Sequence, residues 1–211
     1  MQTSQAIPIF ALYPAMAVLA GSAVALWRPM KPTIISGLQH FAAGVLFCVV
    51  ATELLPDLVH RKMPWVTLLG FGLGFIAMLV IKHFAEQAGQ KDGSQGSQST
   101  SLIVISGVDI ALDVLLIGVG FVAGQKQGLL LTIALSLELL FLGLSVAVAL
   151  HTTGVKYERV VLIMLGFALL LVVGTWAGTT LLIGASNTLV DSVLAFALAA
   201  LLYLVTEELL C

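Results

Sequence analysis

Ser101–Ala123 reads SLIVISGVDIALDVLLIGVGFVA, and the whole chain is organised by how this stretch is interpreted. It is apolar almost throughout. It is long enough to cross a bilayer as a helix, for which about 20 residues suffice. Two aspartates, Asp109 and Asp113, stand inside it four residues apart, so a helix puts them on one face, one turn above the other. At about 1.5 Å per residue they lie roughly 12 Å and 18 Å from its start, on either side of the midplane of a core about 30 Å thick. A carboxylate at that depth costs a few kcal/mol on insertion scales and must face a partner, water or a ligand. Two like charges one turn apart also repel. A cation, a proton or a basic side chain is needed to neutralise them.

Composition sets the class. Of 211 residues, 60% are hydrophobic and 9% charged, where a soluble domain carries about 25% charged. Long apolar runs without strand-like alternation indicate an all-α, polytopic transmembrane helix bundle. The net charge of −2 gives no support for nucleic acid as a partner. Two cysteines, Cys48 in mid-helix and Cys211 at the last position, make no disulfide framework. The start, MQTSQAIPIF, has no basic region, so no cleaved signal peptide is expected.

Seven apolar segments can be drawn: Ile7–Trp27, Ile34–Leu55, Trp65–Phe84, Ser101–Ala123, Gly128–Leu150, Val160–Ile183 and Leu189–Leu210. They predict a single transmembrane domain over residues 1–211. Trp27, Trp65 and Tyr157 fall near segment ends, where aromatic belts form. The polar stretch Glu86–Thr100, EQAGQKDGSQGSQST, reads as a flexible loop. Arg28, Lys31, Lys82, Lys91, Lys156 and Arg159 fall on one side of the membrane, and Arg61, Lys62 and Lys126 on the other. That bias predicts a cytoplasmic 86–100 loop and an outside N-terminus. The expected location is a bacterial inner (plasma) membrane. Gly70, Gly72 and Gly74 mark a close-packing helix face, and Asp191 is expected to cap segment seven.

Glu138 lies in mid-segment five, roughly 15 Å from Gly128. A short GQKQG turn joins segments four and five, so Asp109, Asp113 and Glu138 share one depth and can converge. No Lys or Arg falls in any segment interior to balance them. Three carboxylates at one depth point to a cation path. Glu53 and Asp57 at the end of segment two, and Glu207 and Glu208 at the end of segment seven, are candidate vestibule residues or interfacial caps. Segment two ends LFCVVATELLPD (Leu46–Asp57) and segment seven LLYLVTEELLC (Leu201–Cys211). Both place Thr-Glu before a Leu pair, on helices of opposite sense, as in an inverted repeat.

The stretch QHFAAGVLFCVVATELLPD (Gln39–Asp57) resembles the second helix of the ZIP family of metal-ion transporters. The run Asp109 to Gly118 is similar in register to that family's fourth helix, signature His-Asn-x-x-Asp-Gly. Glu138 to Gly143 is similar to its fifth, His-x-x-Pro-Glu-Gly. The resemblance implies a ZIP-like inverted repeat, eight helices in the family against seven segments here. It also implies a secondary transporter whose substrate is a divalent metal cation. The departures concern the ligands. Asp109 stands for the family's His, Ile110 for Asn, Glu138 for the fifth-helix His and Leu142 for Glu. Val114 replaces a Gly, Phe141 a Pro, and Leu46 stands where the second helix can offer a ligand.

Without imidazole, the implied site is one all-carboxylate centre of Asp109, Asp113 and Glu138. Oxygen donors suit Mg, Mn or Ca better than Zn. Mn, Fe, Mg and Zn all stand as candidate substrates. The expected partners are the lipid bilayer, the transported cation and, as a candidate, a second copy in a homodimer. The lost ligands leave an alternative, a ZIP-fold membrane protein without metal transport that serves as a scaffold or carries another cationic substrate. Enzyme activity is not expected. No HExxH or GxSxG occurs, and Asp109 follows Ser-Gly-Val rather than the Gly-x-Gly of aspartyl intramembrane proteases.

Overall fold

Hydropathy of this kind leaves helices as the only spanning solution, because each helix satisfies its own backbone. The computed structural model of the chain describes the backbone of residues 3–27, 31–60, 63–90, 95–182 and 184–210. Within these it describes the side chains of all but 3–9, 32, 57, 84–90, 95–98, 123, 181, 187 and 207–210. The described residues form helices and no strand. In order these are α1 (Thr3–Trp27), α2 (Pro32–Val49), a π-helical turn (Val50–Leu54), α3 (Leu55–His60) and α4 (Pro64–Gln90). Then follow α5 (Gln95–Ala123), α6 (Gln125–Thr152), α7 (Tyr157–Leu182) and α8 (Asn187–Leu210). Seven spans are long and apolar enough to cross a membrane, counting α2 to α3 as one. They coincide with the seven segments drawn from hydropathy.

Local chemistry explains the ends and the one irregular turn. Pro32 and Pro64 open their helices, where a missing N–H costs nothing. Pro56 has no N–H for the carbonyl of Thr52 and crowds it. In the turn before it the ladder widens, and Leu55 N–H donates to Val50 O. α6 ends in a Schellman motif. Val155 N–H donates to Leu150 O and Gly154 N–H to His151 O, with Gly154 at φ 81°, a conformation that favours glycine.

Two expectations change. The polar 86–100 stretch is narrower than a loop of that length, since α4 runs to Gln90 and α5 begins at Gln95. Gln, Lys, Glu and Ala tolerate helix, so each ladder continues past the apolar run. Asp191 does not cap α8. Ser186 does, its Oγ accepting from Leu189 N–H, and Asp191 sits inside the helix, 3% exposed.

Small residues set the packing. A Cβ on Gly21 of α1 would strike the backbone carbonyl of Leu140 on α6, and one on Gly143 the carbonyl of Val18. α1 and α6 therefore touch backbone to backbone. Gly70 and Gly74 of α4 meet Ser192 and Phe196 of α8 in the same way, while Gly72 has open space. The close-packing face expected from the three glycines is thus an i, i+4 pair. α7 completes the first group by lying against α1 and α5, with Gly174 against Val114. A core of Val18, Ile110, Leu139, Met164 and Leu171 fills it. α4 and α8 form a second group, and α2 lies mainly against α6 and to a lesser extent against α8. A core of Leu46 of α2 and Val50 and Leu54 of the π turn against Leu131 and Leu135 of α6 and Leu194 of α8 joins these parts. Large apolar side chains such as Leu68, Leu73, Leu162 and Leu169 face outward.

Candidate cation site

α5 and α6 form the hairpin that carries the acids. Gly120 of α5 approaches Gly128 and Leu131 of α6 closely, which fixes the facing stripe. Asp113 and Asp109 stand seven and eleven residues before Gly120, about two and three turns, so they share that stripe. Both are buried, Asp109 at 7% exposed and Asp113 at 2%. Glu138 is buried at 9%. It lies ten residues beyond Gly128, which puts it level with Ile110, between the two aspartates, but about 80° round its helix. It turns toward α2. There it borders a pocket with Phe141 and Leu142 of α6 and Gln39, Ala42 and Ala43 of α2. The pocket volume is about 10 Å³, the room one water molecule needs.

Shared depth is therefore present, but a closed cage is not. Among the described residues, no three of His, Cys, Asp and Glu are grouped so as to hold a metal ion. The expected single centre of Asp109, Asp113 and Glu138 corresponds here to two aspartates on α5 and a glutamate rotated toward α2. One oxygen of each of Asp113 and Glu138 is buried without a hydrogen bond, although both residues have other partners. No Lys or Arg is buried among the described residues.

The vestibule candidates divide. Glu53 is matched by a base, with Lys126 Nζ 3.0 Å from Oε1 and 3.2 Å from Oε2. It sits in the π turn, so that turn is tied to the start of α6. The side chains of Asp57, Glu207 and Glu208 lie outside the described residues. At the opposite end of the hairpin, Ser99 Oγ donates to Thr153 Oγ1 at 2.9 Å and ties the start of α5 to the end of α6.

Three residues escaped sequence reasoning. Gln39 was read only as part of a motif. Thr175 of α7 is fully buried, level with Val114 through its neighbour Gly174, and its Oγ1 has no hydrogen-bond partner among the described residues. A Thr in an apolar run, here with Thr179 and Thr180 close behind, gives no signal of which way it points. Asp191 was visible as an acid near a helix start, where capping is the commoner role.

Compared with protein-family models and with curated proteins, the chain matches none.

Proposed function

We propose that this chain is a ZIP-like secondary transporter that moves a divalent metal cation across a membrane by way of Asp109, Asp113 and Glu138. The observation that carries the reading is the burial of three carboxylates at one depth of the α5–α6 hairpin, in a bundle with no buried Lys or Arg among the described residues. Intramembrane acids are expensive and mark ion or proton pathways. Oxygen donors suit Mn²⁺ or Mg²⁺ better than Zn²⁺.

The packing supports a rocking mechanism. α1 and α6 are locked by Gly21 and Gly143, α4 and α8 by Gly70 and Gly74. The α2–α6 seam is held instead by side chains and one ion pair, so it is a place where α2 can slide on α6. In this reading a bound cation supplies the charge that lets Glu138 of α6 and the aspartates of α5 converge. In the orientation read from basic residues, the Lys126 end faces outside and the 86–100 segment the cytoplasm.

A second reading is a ZIP-fold membrane protein that transports no metal. It is favoured by the one observation that, among the described residues, no three of His, Cys, Asp and Glu are grouped so as to hold a metal ion. Uptake into sealed proteoliposomes of Mn²⁺, Fe²⁺, Mg²⁺ and Zn²⁺ in turn separates the readings. A transporter accumulates at least one of them above protein-free vesicles. Folded protein that accumulates none, and that no ion stabilises against heat, belongs to the second class.

A further inference from the structure

We propose that the π turn after α2 travels along the helix, and that its passage from Val50–Leu54 to residues 35–39 puts His40 in the place of Gln39 beside Glu138. The inference goes beyond the transport reading and holds for any cargo, because it concerns only how α2 moves. The π turn holds one residue more than an α-helical path needs. That surplus is not tied to one position. When the turn re-forms nearer the start of α2, each residue between the two sites takes the place of the one before it. The step is about 1.5 Å along the axis and about 100° around it. The helix outside that interval stays where it is, so α3 and the first turn of α2 keep their packing.

The residues around Gln39 fit such an exchange. On α2 the pocket beside Glu138 is lined by Gln39, Ala42 and Ala43. Their successors are His40, Ala43 and Gly44, the last two no larger than the residues they replace. His40 and Gly44 now face outward, and a Cβ on Gly44 would meet nothing within 4 Å. His40 stands seven residues beyond Thr33, inside the span that begins there, where an ionisable side chain turned away from the bundle is costly. The ladder is prepared at the destination as well. His40 Nδ1 donates to Ser36 O at 2.7 Å. In a π turn over 35–39 the His40 N–H passes to Ile35 O, and the carbonyl it leaves is the one its own ring already holds. Beside the present turn Thr52 Oγ1 donates to Cys48 O at 2.8 Å, a back-bond of the kind that loosens helices. One slot resists the move. Phe47 must enter the place of Leu46, which is fully buried, so the present register is the resting one. In the other register an imidazole borders the buried carboxylate of Glu138, and the two can form a charge-assisted hydrogen bond.

The test is the rate of disulfide formation in membranes between Leu142→Cys of α6 and either Ala43→Cys or Gly44→Cys of α2, in the full chain carrying Cys48→Ser and Cys211→Ser. Leu142 and Ala43 line the same pocket, so the 43–142 pair reads the present register and the 44–142 pair the shifted one. With no further change the 43–142 pair is expected to oxidise faster. Pro56→Ala restores an N–H for Thr52 O and lets regular helix run through 50–56. It is expected to raise the 44–142 rate relative to the 43–142 rate about tenfold or more, since a proline in a helix interior is a strong constraint. His40→Leu added to Pro56→Ala takes away the ring that holds Ser36 O, and the 44–142 rate should fall back. Deletion of Ala51 removes the surplus residue and should suppress the 44–142 pair while the 43–142 pair forms as before. If the ratio of the two rates is the same with and without Pro56→Ala, α2 has a single register and the inference fails. That comparison decides even where the deletion yields no folded protein.

Discussion

Lys126 Nζ grips both carboxylate oxygens of Glu53, at 3.0 and 3.2 Å, and so ties the π turn after α2 to the first turn of α6. Below this ion pair the seam is apolar. Leu46, Val50 and Leu54 meet Leu131 and Leu135, all fully or almost fully buried. The Glu138–Gln39 pocket lies beyond that plug. In the proposed transport reading, an ion approaching from the Lys126 end along this seam parts the pair and the plug to reach Glu138.

The pair itself is a clasp of modest strength. The Lys126 side chain is 72% exposed and Glu53 24%, so water and salt screen much of the attraction. Lys126→Gln and Glu53→Gln are each expected to lower stability by about 0.2–1 kcal/mol. A double-mutant cycle in thermal unfolding should show the two losses to be non-additive. The exchanged pair, Glu53→Lys with Lys126→Glu, should recover most of the loss. Strictly additive effects would mean that the two side chains do not meet.

Helix packing gives a sharper contrast. Gly21→Ala and Gly143→Ala place a Cβ against a backbone carbonyl, which cannot rotate away. Each should cost about 1–3 kcal/mol or more and lower the yield of folded protein. Gly37→Ala and Gly166→Ala meet nothing within 4 Å, and should be neutral or slightly stabilising through helix propensity. Melting temperatures and monodispersity in detergent report both sets. Equal behaviour of the two sets would contradict the α1–α6 contact.

Neutralising an acid in the membrane interior removes a cost rather than a support. Asp113→Asn is therefore expected to melt at or above the wild-type temperature while losing cation-dependent stabilisation. A structural carboxylate would behave in the opposite way. Its replacement would lower the melting temperature, and added Mn²⁺ would have the same effect on variant and wild type.

The π turn holds one residue more than an α-helical path needs. Deleting Ala51 lets α2 continue as regular helix with the residues on both sides close to their present faces. Folding should survive, since Leu46 and Leu58 keep their packing. The clasp between residues 53 and 126 should weaken, read as loss of the coupling energy described above. A deletion that leaves that coupling intact would show that the wide turn does not position Glu53.

Hydropathy alone made the spans legible because burying the backbone in lipid leaves no other solution. The interruption of Ser101–Ala123 by Asp109 and Asp113 likewise announced two buried acids, since the helical repeat puts them on one face. Rotation about the helix axis was harder to read. α6 is apolar on all sides, so nothing in its sequence tells that Glu138 turns toward Gln39 rather than toward Asp113. The match of Glu53 with Lys126 joins residues far apart in the chain and shows no periodicity. The π turn follows from Pro56 only once the helix is known to continue through it. Asp191 was misjudged because helix ends were placed by hydropathy, and the polar Ser186–Thr188 opening of α8 fell outside the apolar run.

Uptake by proteoliposomes holding either the wild type or the Asp113→Asn, Glu138→Gln double variant tests the role of the buried acids most directly. Both proteins should reconstitute to the same extent, because neutral amides are tolerated in the bundle. Wild-type vesicles should accumulate Mn²⁺ or another divalent ion, and double-variant vesicles should match protein-free ones. Equal uptake by the two proteins would contradict a cation path through Asp113 and Glu138.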